Sequence, residues 1–312
     1  MRLVRIPAVF TVIAQVTAAF LLAAGSAQPI ARLIVVVLAA VSLYWSGMIF
    51  NDLWDIEEDR RDRPTRPLPS GEVSIRAATS AGWGLMGLGV ILAAISGFIP
   101  SDGVAGTLCP AIIGIAVAIT VLLYNGPTKQ TLLAPAMMGI CRSLCFLLGA
   151  APLVVVQAAN LADVANWFPG HVVGAAIGMG IYVMGITSIS RSETDAENVA
   201  EIVIGVGVIA MGAVCLAFAP RFAPAGTQWA VSMNERFPFI IALIVFSVLF
   251  RGIRVALRPE VPAIQNLIRI GIMTLIPLAA AFAMLSAGPF AGITVFALFF
   301  PAIWLTLKFR VT

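Results

Sequence analysis

The chain has 312 residues, of which 60% are hydrophobic and 11% charged, with a formal net charge of +4. A soluble core could not bury so much apolar surface, so the composition excludes a soluble globular protein. It predicts an all-α polytopic membrane protein.

Apolar runs close to the length that a helix needs to cross the hydrocarbon core follow one another along the chain. Ten of them lie between polar breaks, at residues 8–24, 30–50, 77–99, 106–124, 132–156, 171–190, 202–219, 237–257, 267–286 and 288–308. The last two are separated only around Gly288 and Pro289. The sequence therefore predicts a transmembrane helical bundle of nine or ten spans, in one integral membrane domain over residues 1–312. The first run is expected to be a retained helix, because further apolar segments follow it directly.

The basic residues indicate the orientation of the bundle. With the N-terminus in the cytoplasm, 15 of the 19 Lys and Arg residues fall on the cytoplasmic side, as the positive-inside rule requires. Arg32, Arg221 and Arg236 would lie outside, and Arg142 within a span. The predicted location is a bacterial inner (cell) membrane, with membrane lipids as partners. The same bias accounts for the net positive charge of the chain, so no nucleic-acid partner is predicted.

The acidic residues cluster in two loops, although the sorting of positive charge does not require it. The first loop, between the second and third spans, holds Asp52, Asp55, Glu57, Glu58, Asp59, Asp62 and Glu72. The second, between the sixth and seventh spans, holds Glu193, Asp195, Glu197 and Glu201. Eleven of the 15 acids thus occupy two cytoplasmic loops, which suggests two related halves facing one cavity.

The sharpest feature is the stretch N-D-x-x-D-x-x-x-D at the end of the second span. If the helix continues to Asp59, then Asp52, Asp55 and Asp59 project from one face beside Asn51. Carboxylates so placed repel one another, and Mg²⁺, which takes oxygen ligands and shares them with substrate phosphates, suits the arrangement. These residues are therefore candidate metal ligands. The alternative is a solvated helix end with ordinary surface acids.

The acidic stretch is followed at once by arginines and prolines, over residues 60–71. The prolines end the helix, and the arginines can hold phosphate oxygens in pairs. A cytoplasmic loop would carry arginines in any case. Next to the carboxylates, they are a plausible diphosphate clamp.

Together, N-D-x-x-D-x-x-x-D and the following R-x-x-R-P-L-P-S-G resemble the UbiA superfamily of intramembrane prenyltransferases. The resemblance implies that Asn51, Asp52, Asp55 and Asp59 bind Mg²⁺ and an allylic diphosphate. It places Arg66 near that diphosphate. Asp52 and Asp55 are the expected catalytic carboxylates of this motif.

A second stretch, Tyr124-Asn125-Gly126-Pro127-Thr128-Lys129, is similar to the tyrosine-to-lysine segment of the same family. The resemblance implies that Tyr124 and Lys129 bind substrate, with Lys129 on phosphate. The alternative is a lysine that reaches the membrane surface beside an interfacial tyrosine.

The second acidic loop departs from the family pattern. Family members carry aspartates there at four-residue spacing, to hold a second Mg²⁺. Counting back in fours from Asp195 gives Arg191 and Thr187, so we expect Arg191 to contact the diphosphate directly and to be a third catalytic residue beside Asp52 and Asp55. Glu193 and Asp195 remain candidates for substrate binding, and Asp195 also for metal binding. With Gly-Ile-Cys-Arg-Ser-Leu at residues 139–144, this form resembles the divergent EboC-type branch.

Arg142 lies about ten residues into the fifth span. An unpaired cation at that depth costs ~2.5 kcal/mol or more, so Arg142 should face the protein interior or a wet cavity. We interpret it as a substrate-binding residue of a polar chamber. A purely structural partner is the alternative.

The resemblance implies Mg²⁺-dependent transfer of an isoprenyl group from an allylic diphosphate to an unidentified acceptor within the membrane. The weakened second motif also allows a noncatalytic relative that binds or helps to translocate an isoprenoid or precursor. An ion-coupled transporter has less support, because the acids lie at a cytoplasmic end and not at the midplane.

Overall fold

A computed structural model of the protein describes residues 6–154, 167–192, 198–230 and 236–308. Within these ranges the regular secondary structure is helical, and loops join the helices without any strand. The helices are α1 (Ile6–Ala24), α2 (Ile30–Trp54), α3 (Ile56–Asp62), α4 (Ile75–Phe98), α5 (Cys109–Asn125), α6 (Ala134–Ala150), α7 (Gly170–Ser190), α8 (Val199–Phe218), α9 (Phe237–Leu257), α10 (Val261–Met273), α11 (Leu275–Ala287), α12 (Pro289–Ala297) and α13 (Phe299–Lys308).

The described helices confirm the predicted transmembrane bundle. Eight helical segments are long and apolar enough to cross a membrane, and two shorter apolar helices, Ala8–Ala24 and Cys109–Asn125, bring the described total to ten. Proline stands in the first two positions of α5, α6, α9, α10 and α12. The first N–H groups of a helix have no acceptor within the helix, so a proline there removes no hydrogen bond. Prolines therefore begin these helices without breaking them.

The ninth predicted span begins earlier than the hydropathy pattern indicated. It runs over Val261–Ala287, as α10 and α11 joined at Thr274. Its first turns are amphipathic, since Ile264 and Leu267 are buried and Gln265 is exposed. Because apolar and polar residues alternate in these turns, their sequence is typical of a loop, and the hydropathy pattern did not include them in the span. Arg269, expected on the cytoplasmic side, therefore lies within α10.

Glycines bring the central helices close together. A Cβ atom added at Gly185 of α7 would lie 2.6 Å from the carbonyl oxygen of Gly205 in α8. One added at Gly180 would lie 2.6 Å from the carbonyl oxygen of Gly139 in α6. Small residues allow such close approach between membrane helices. Through these contacts α7 packs between α6 and α8.

Arg32 closes the end of the bundle at which α2 begins. Its side chain is only 1% exposed. Its nitrogens donate to four carbonyl oxygens, at 2.6–3.1 Å, on Ile99, Val104, Ala105 and Pro152. The guanidinium thus joins the end of α4, the loop to α5 and the end of α6. The carboxylates of the acidic stretch lie at the other end of α2.

Candidate functional site

The candidate site is built around the junction of α2 and α3. The predicted unbroken helix is interrupted, because α2 ends at Trp54 and Asp55 has φ −85° and ψ 2°. The hydrogen-bond ladder nevertheless continues, since the Asp55 N–H donates to the Asn51 carbonyl at 3.1 Å and the Asp59 N–H to the Asp55 carbonyl at 2.8 Å. The helix is irregular at Asp55, and the acids around this point form two groups. Asp52 and Asp59 contact Arg66, whereas Asp55 contacts Lys129.

The first group joins Asp52, Asp59 and Arg66. Arg66 Nη1 lies 2.6 Å from Asp59 Oδ2 and 3.9 Å from Asp52 Oδ1. Both carboxylates are buried, and Arg66 keeps 27% of its side chain exposed. The loop that carries Arg66 is anchored by Leu68, which is buried in a small apolar cluster with residues of α2 and α4. Arg66 therefore offers a partly open cation beside two buried acids.

The second group joins Asn51, Asp55 and Lys129. Lys129 Nζ contacts Asp55 Oδ1 and lies 3.4 Å from Asn51 Oδ1. Asn51 Nδ2 donates to Asp55 Oδ2 at 2.8 Å. The side chains of Lys129 and Asp55 are 25% and 19% exposed. The loop between α5 and α6 thus brings a second accessible cation to the acidic stretch.

Asn125, the last residue of α5, was missed as a candidate residue. Its Nδ2 donates to the Gly47 carbonyl at 3.3 Å and to the Val121 carbonyl at 3.0 Å, which ties α5 to α2. Its Oδ1 is buried and has no hydrogen-bond partner among the described residues. Its only sequence signal is its place in the segment from Tyr124 to Lys129. Tyr124 is partly buried beside it.

An open cavity of about 250 Å³ lies beside the second group. Its polar lining includes Trp54, Asp55, Arg61, Asn125 and Lys129. A buried amide oxygen without a partner costs free energy. Asn125 is therefore a residue of this cavity whose amide oxygen has no partner among the described residues.

Arg191 lies at the end of α7, beside the loop that carries Lys129. Its Nη1 donates to the Thr131 carbonyl at 3.2 Å, and its Nε lies 3.4 Å from Glu201 Oε1. The start of α8 and the end of α7 therefore share one end of the bundle with the first acidic loop. Glu193 and Asp195, the other candidates in this loop, lie outside the described residues.

Arg142 of α6 contacts α1. Its Nη1 lies 3.2 Å from Gln15 Oε1 and 3.4 Å from Thr11 Oγ1. It therefore faces neighbouring helices, as its depth predicted. Both partners are neutral, and neither was anticipated from the sequence.

The oxygen donors of the site fit a magnesium ion. The described residues contain no group of three His, Cys, Asp or Glu side chains placed to hold a metal. Mg²⁺ does not need one, because it is commonly held by one or two carboxylates together with substrate phosphates and water. The two acidic groups supply carboxylates of that kind.

Comparison with known proteins adds the family context. Residues 12–260 match the UbiA prenyltransferase family. The digeranylgeranylglyceryl phosphate synthase of Metallosphaera sedula is 48% identical over 68 residues, which are 22% of this chain and 24% of that protein. The corresponding Methanopyrus kandleri protein is 33% identical over 131 residues, which are 42% and 44% of the two chains. The matches thus span less than half the length of these relatives.

Solved structures share the fold over nearly the whole chain. A structure reported for digeranylgeranylglyceryl phosphate synthase superposes with a TM-score of 0.62 at 16% identity, over 92% of this chain and 97% of that one. A UbiA homologue from Archaeoglobus fulgidus bound to GPP and Mg²⁺ gives 0.56 at 16% identity, over 95% and 98%. The relatives named here are archaeal. The bacterial membrane, the N-terminal orientation and the EboC-type branch remain predictions.

Proposed function

The chain belongs to the UbiA prenyltransferase family, and on that basis we propose that it transfers an isoprenyl group from an allylic diphosphate to an acceptor within the membrane. One observation carries the proposal for this chain. Lys129 and Arg66, which are distant in sequence from each other, each meet the acidic stretch at one end of an apolar bundle. Anionic and cationic groups that remain partly exposed are suited to a ligand that combines phosphate with a bound cation.

The two ion pairs suggest how a diphosphate is bound. Lys129 and Arg66 can turn from Asp55 and Asp59 to phosphate oxygens, because each cation keeps about a quarter of its side chain exposed. The carboxylates are then free for a cation that arrives with the diphosphate. Asn51, Asp52, Asp55 and Asp59 would hold Mg²⁺, which when bound neutralises part of the charge of the leaving group.

The proposed reaction breaks the bond between the allylic carbon and the diphosphate oxygen. The electron pair leaves with the diphosphate, where Lys129 and Arg66 stabilise the developing negative charge. A nucleophilic atom of the acceptor bonds to the allylic carbon, and its proton passes to the released diphosphate. The apolar spans would house the isoprenoid chain.

Arg191 motivates a second candidate function, a noncatalytic member that binds an isoprenoid diphosphate or helps to move it. It stands where the family pattern has an aspartate, and its guanidinium is engaged with Glu201 and Thr131. A second metal site is weakened by that replacement. Binding without product formation would favour this alternative.

Full-length protein in proteoliposomes, incubated with radiolabelled geranylgeranyl diphosphate, Mg²⁺ and a lipid extract, tests the proposal. We expect new labelled lipid from the wild type and about a tenfold or greater loss in Asp55→Asn. Glu72→Gln, which removes an exposed acid from the same loop, should leave product formation unchanged. If the wild type neither binds the diphosphate nor forms product, both candidate functions are wrong.

A further inference from the structure

Arg142 is a membrane-embedded cation whose hydrogen bonds leave most of its capacity unused. It is the ninth residue of α6 and is partly exposed. Its hydrogen-bond partners in residues 6–154, 167–192, 198–230 and 236–308 are Thr11 Oγ1 and Gln15 Oε1, which Nη1 meets at the long distances of 3.4 and 3.2 Å. Nε and Nη2 donate to no atom in the described part of the chain, and no described carboxylate pairs with this arginine.

Arg32 provides the contrast within the same molecule. Its guanidinium is fully enclosed, and all three of its nitrogens donate to backbone carbonyls. A buried arginine with a structural role is expected to be satisfied in this way. Among the described residues, Arg142 is satisfied at one nitrogen, and the groups that its charge meets there are neutral. The open side of its guanidinium fork matches two oxygens of an anion.

Gln15 can supply a further donor to the same anion. Its Nε2 donates to Met179 Sδ at 3.5 Å, and a thioether sulfur is a weak acceptor. An oxyanion would be a better partner for that amide. Thr11 has no donor left for an anion, since its hydroxyl already donates to the Ala8 carbonyl at 2.7 Å. Its oxygen accepts from Arg142. Thr11 is therefore a positioning residue for the guanidinium.

The depth of Arg142 suits an anion carried by a lipid. It lies eight residues beyond the start of α6, or about 12 Å along the helix axis. Its side chain inclines towards the helix N-terminus, the end nearest Lys129. An anion held there would lie on the membrane side of the proposed diphosphate site, within the apolar bundle. A soluble anion would have no apolar chain to keep it at that depth.

We infer that Arg142 and Gln15 bind the phosphate of an amphiphilic acceptor, a phosphate monoester on an apolar chain, with Thr11 orienting Arg142. The inference rests on the proposed function, because it assigns the acceptor of that reaction. Phosphate is favoured because it presents three oxygens, enough for the two guanidinium nitrogens and the Gln15 amide. The nucleophilic hydroxyl of such an acceptor would then point from Arg142 towards the diphosphate.

Direct binding to full-length protein in phosphatidylcholine nanodiscs tests this inference without requiring turnover. The probes are radiolabelled geranylgeranylglyceryl phosphate, the same lipid without its phosphate, and chain-free glycerol phosphate. We expect the wild type to bind the phosphorylated lipid about tenfold or more tightly than the alcohol. Arg142→Met should abolish that preference, and Arg142→Lys should keep part of it. Strong binding of chain-free glycerol phosphate would overturn the assignment to a lipid.

Arg269→Met is the matched control. Arg269 is also the ninth residue of its helix, and its Nη2 is held by Asn266 Oδ1 at 2.6 Å. Its replacement should leave the lipid preference unchanged. If Arg142→Met fails to fold, Gln15→Leu provides a second test, with an expected partial loss of the preference.

Binding of radiolabelled geranylgeranyl diphosphate with Mg²⁺, measured on the same samples, separates the two proposals. Its absence in the wild type would contradict the proposed function, while the lipid measurements would still decide the role of Arg142. Retention of the phosphate preference in both Arg142→Met and Gln15→Leu would overturn the inference.

Discussion

The ammonium group of Lys129 contacts the carboxylate of Asp55 across 74 residues of sequence. Asn51 bonds to both groups. The contact fixes the loop after α5 against the end of α2. It also means that a phosphate must compete with a carboxylate for the same ammonium, which makes diphosphate binding sensitive to any bound cation that takes over Asp55.

Replacement of Lys129 by Met should weaken the binding of geranyl diphosphate by about tenfold or more, because a charge-assisted bond to phosphate is lost. Lys129→Arg should retain most of the affinity. Equilibrium binding at fixed Mg²⁺ measures both. Lys308→Met removes the other lysine, which lies over the ring of Trp304, and should have no effect. Unchanged affinity in Lys129→Met would contradict a phosphate role for this residue.

Replacement of Arg66 by Gln should make stability depend on Mg²⁺. The change leaves Asp52 and Asp59 buried without their guanidinium, at a cost of roughly 2 kcal/mol, less than for a fully buried pair. We expect a lower Tm in EDTA and a partial recovery as Mg²⁺ is added, with a smaller response in the wild type. Arg76→Gln, at an exposed position on α4, is the control. An equal Mg²⁺ response in wild type and Arg66→Gln would exclude these two acids as a cation site.

Replacement of Arg191 by Asp should weaken diphosphate binding at low Mg²⁺ and recover part of it as Mg²⁺ rises. A guanidinium grips phosphate directly, whereas a carboxylate needs a cation between them. Titration of binding against Mg²⁺ measures the shift. Glu201→Gln separates a structural role of Arg191 from a role in binding. It removes the ion pair between Arg191 and Glu201, which are 3.4 Å apart, and leaves the guanidinium in place. If Arg191→Asp binds as well as wild type at every Mg²⁺ concentration, this loop does not contact the diphosphate.

Replacement of Gly185 by Ala should destabilise the contact between α7 and α8. The added Cβ would lie 2.6 Å from the Gly205 carbonyl oxygen and 2.7 Å from the Ile209 nitrogen. Forcing apart two backbones costs about 1–3 kcal/mol or more, which thermal unfolding in detergent should register as a lower Tm. Gly207→Ala on α8 meets no atom within 4 Å and should leave the Tm unchanged. Equal Tm values for the two variants would show that the helices can separate at no cost.

The predicted orientation is tested by single cysteines in a background without the four native ones. Ser70 follows α3 and Gln228 follows α8, and both are exposed. Ser70→Cys and Gln228→Cys should react with a membrane-impermeant thiol reagent from opposite faces. Protection of Ser70→Cys in intact cells would confirm that the acidic loops are cytoplasmic. Labelling of both from one face would overturn the topology.

The sequence predicted the spans well because they are local features. An apolar run identifies a span wherever its neighbours lie, and the spacing from Asp52 to Asp59 is read along one segment. The interruption of the helix at Asp55 was not predicted. It occurs where Asp55 contacts Lys129 and Asp59 contacts Arg66, and the spacing of the acids does not reveal these two contacts. The expected phosphate contact of Lys129 came from resemblance alone and stays a prediction.

Contacts between distant segments were beyond sequence reasoning. Arg142 was placed in the interior by its cost in hydrocarbon, but its partners Thr11 and Gln15 lie 131 and 127 positions away. Nothing in an apolar first helix marks those two residues as partners. The unpaired oxygen of Asn125 was missed for the same reason, because its burial is created by the packing of α5 on α2.

Arg32 places a condition on the order of insertion into the membrane. Its four carbonyl partners belong to residues 99–152, all synthesised after α2. Until those segments have been inserted, the guanidinium has none of these acceptors and favours water over the bilayer. We therefore expect the α1–α2 hairpin to keep Arg32 at the aqueous boundary until α6 has been inserted. Biogenesis would then proceed in a block of five spans.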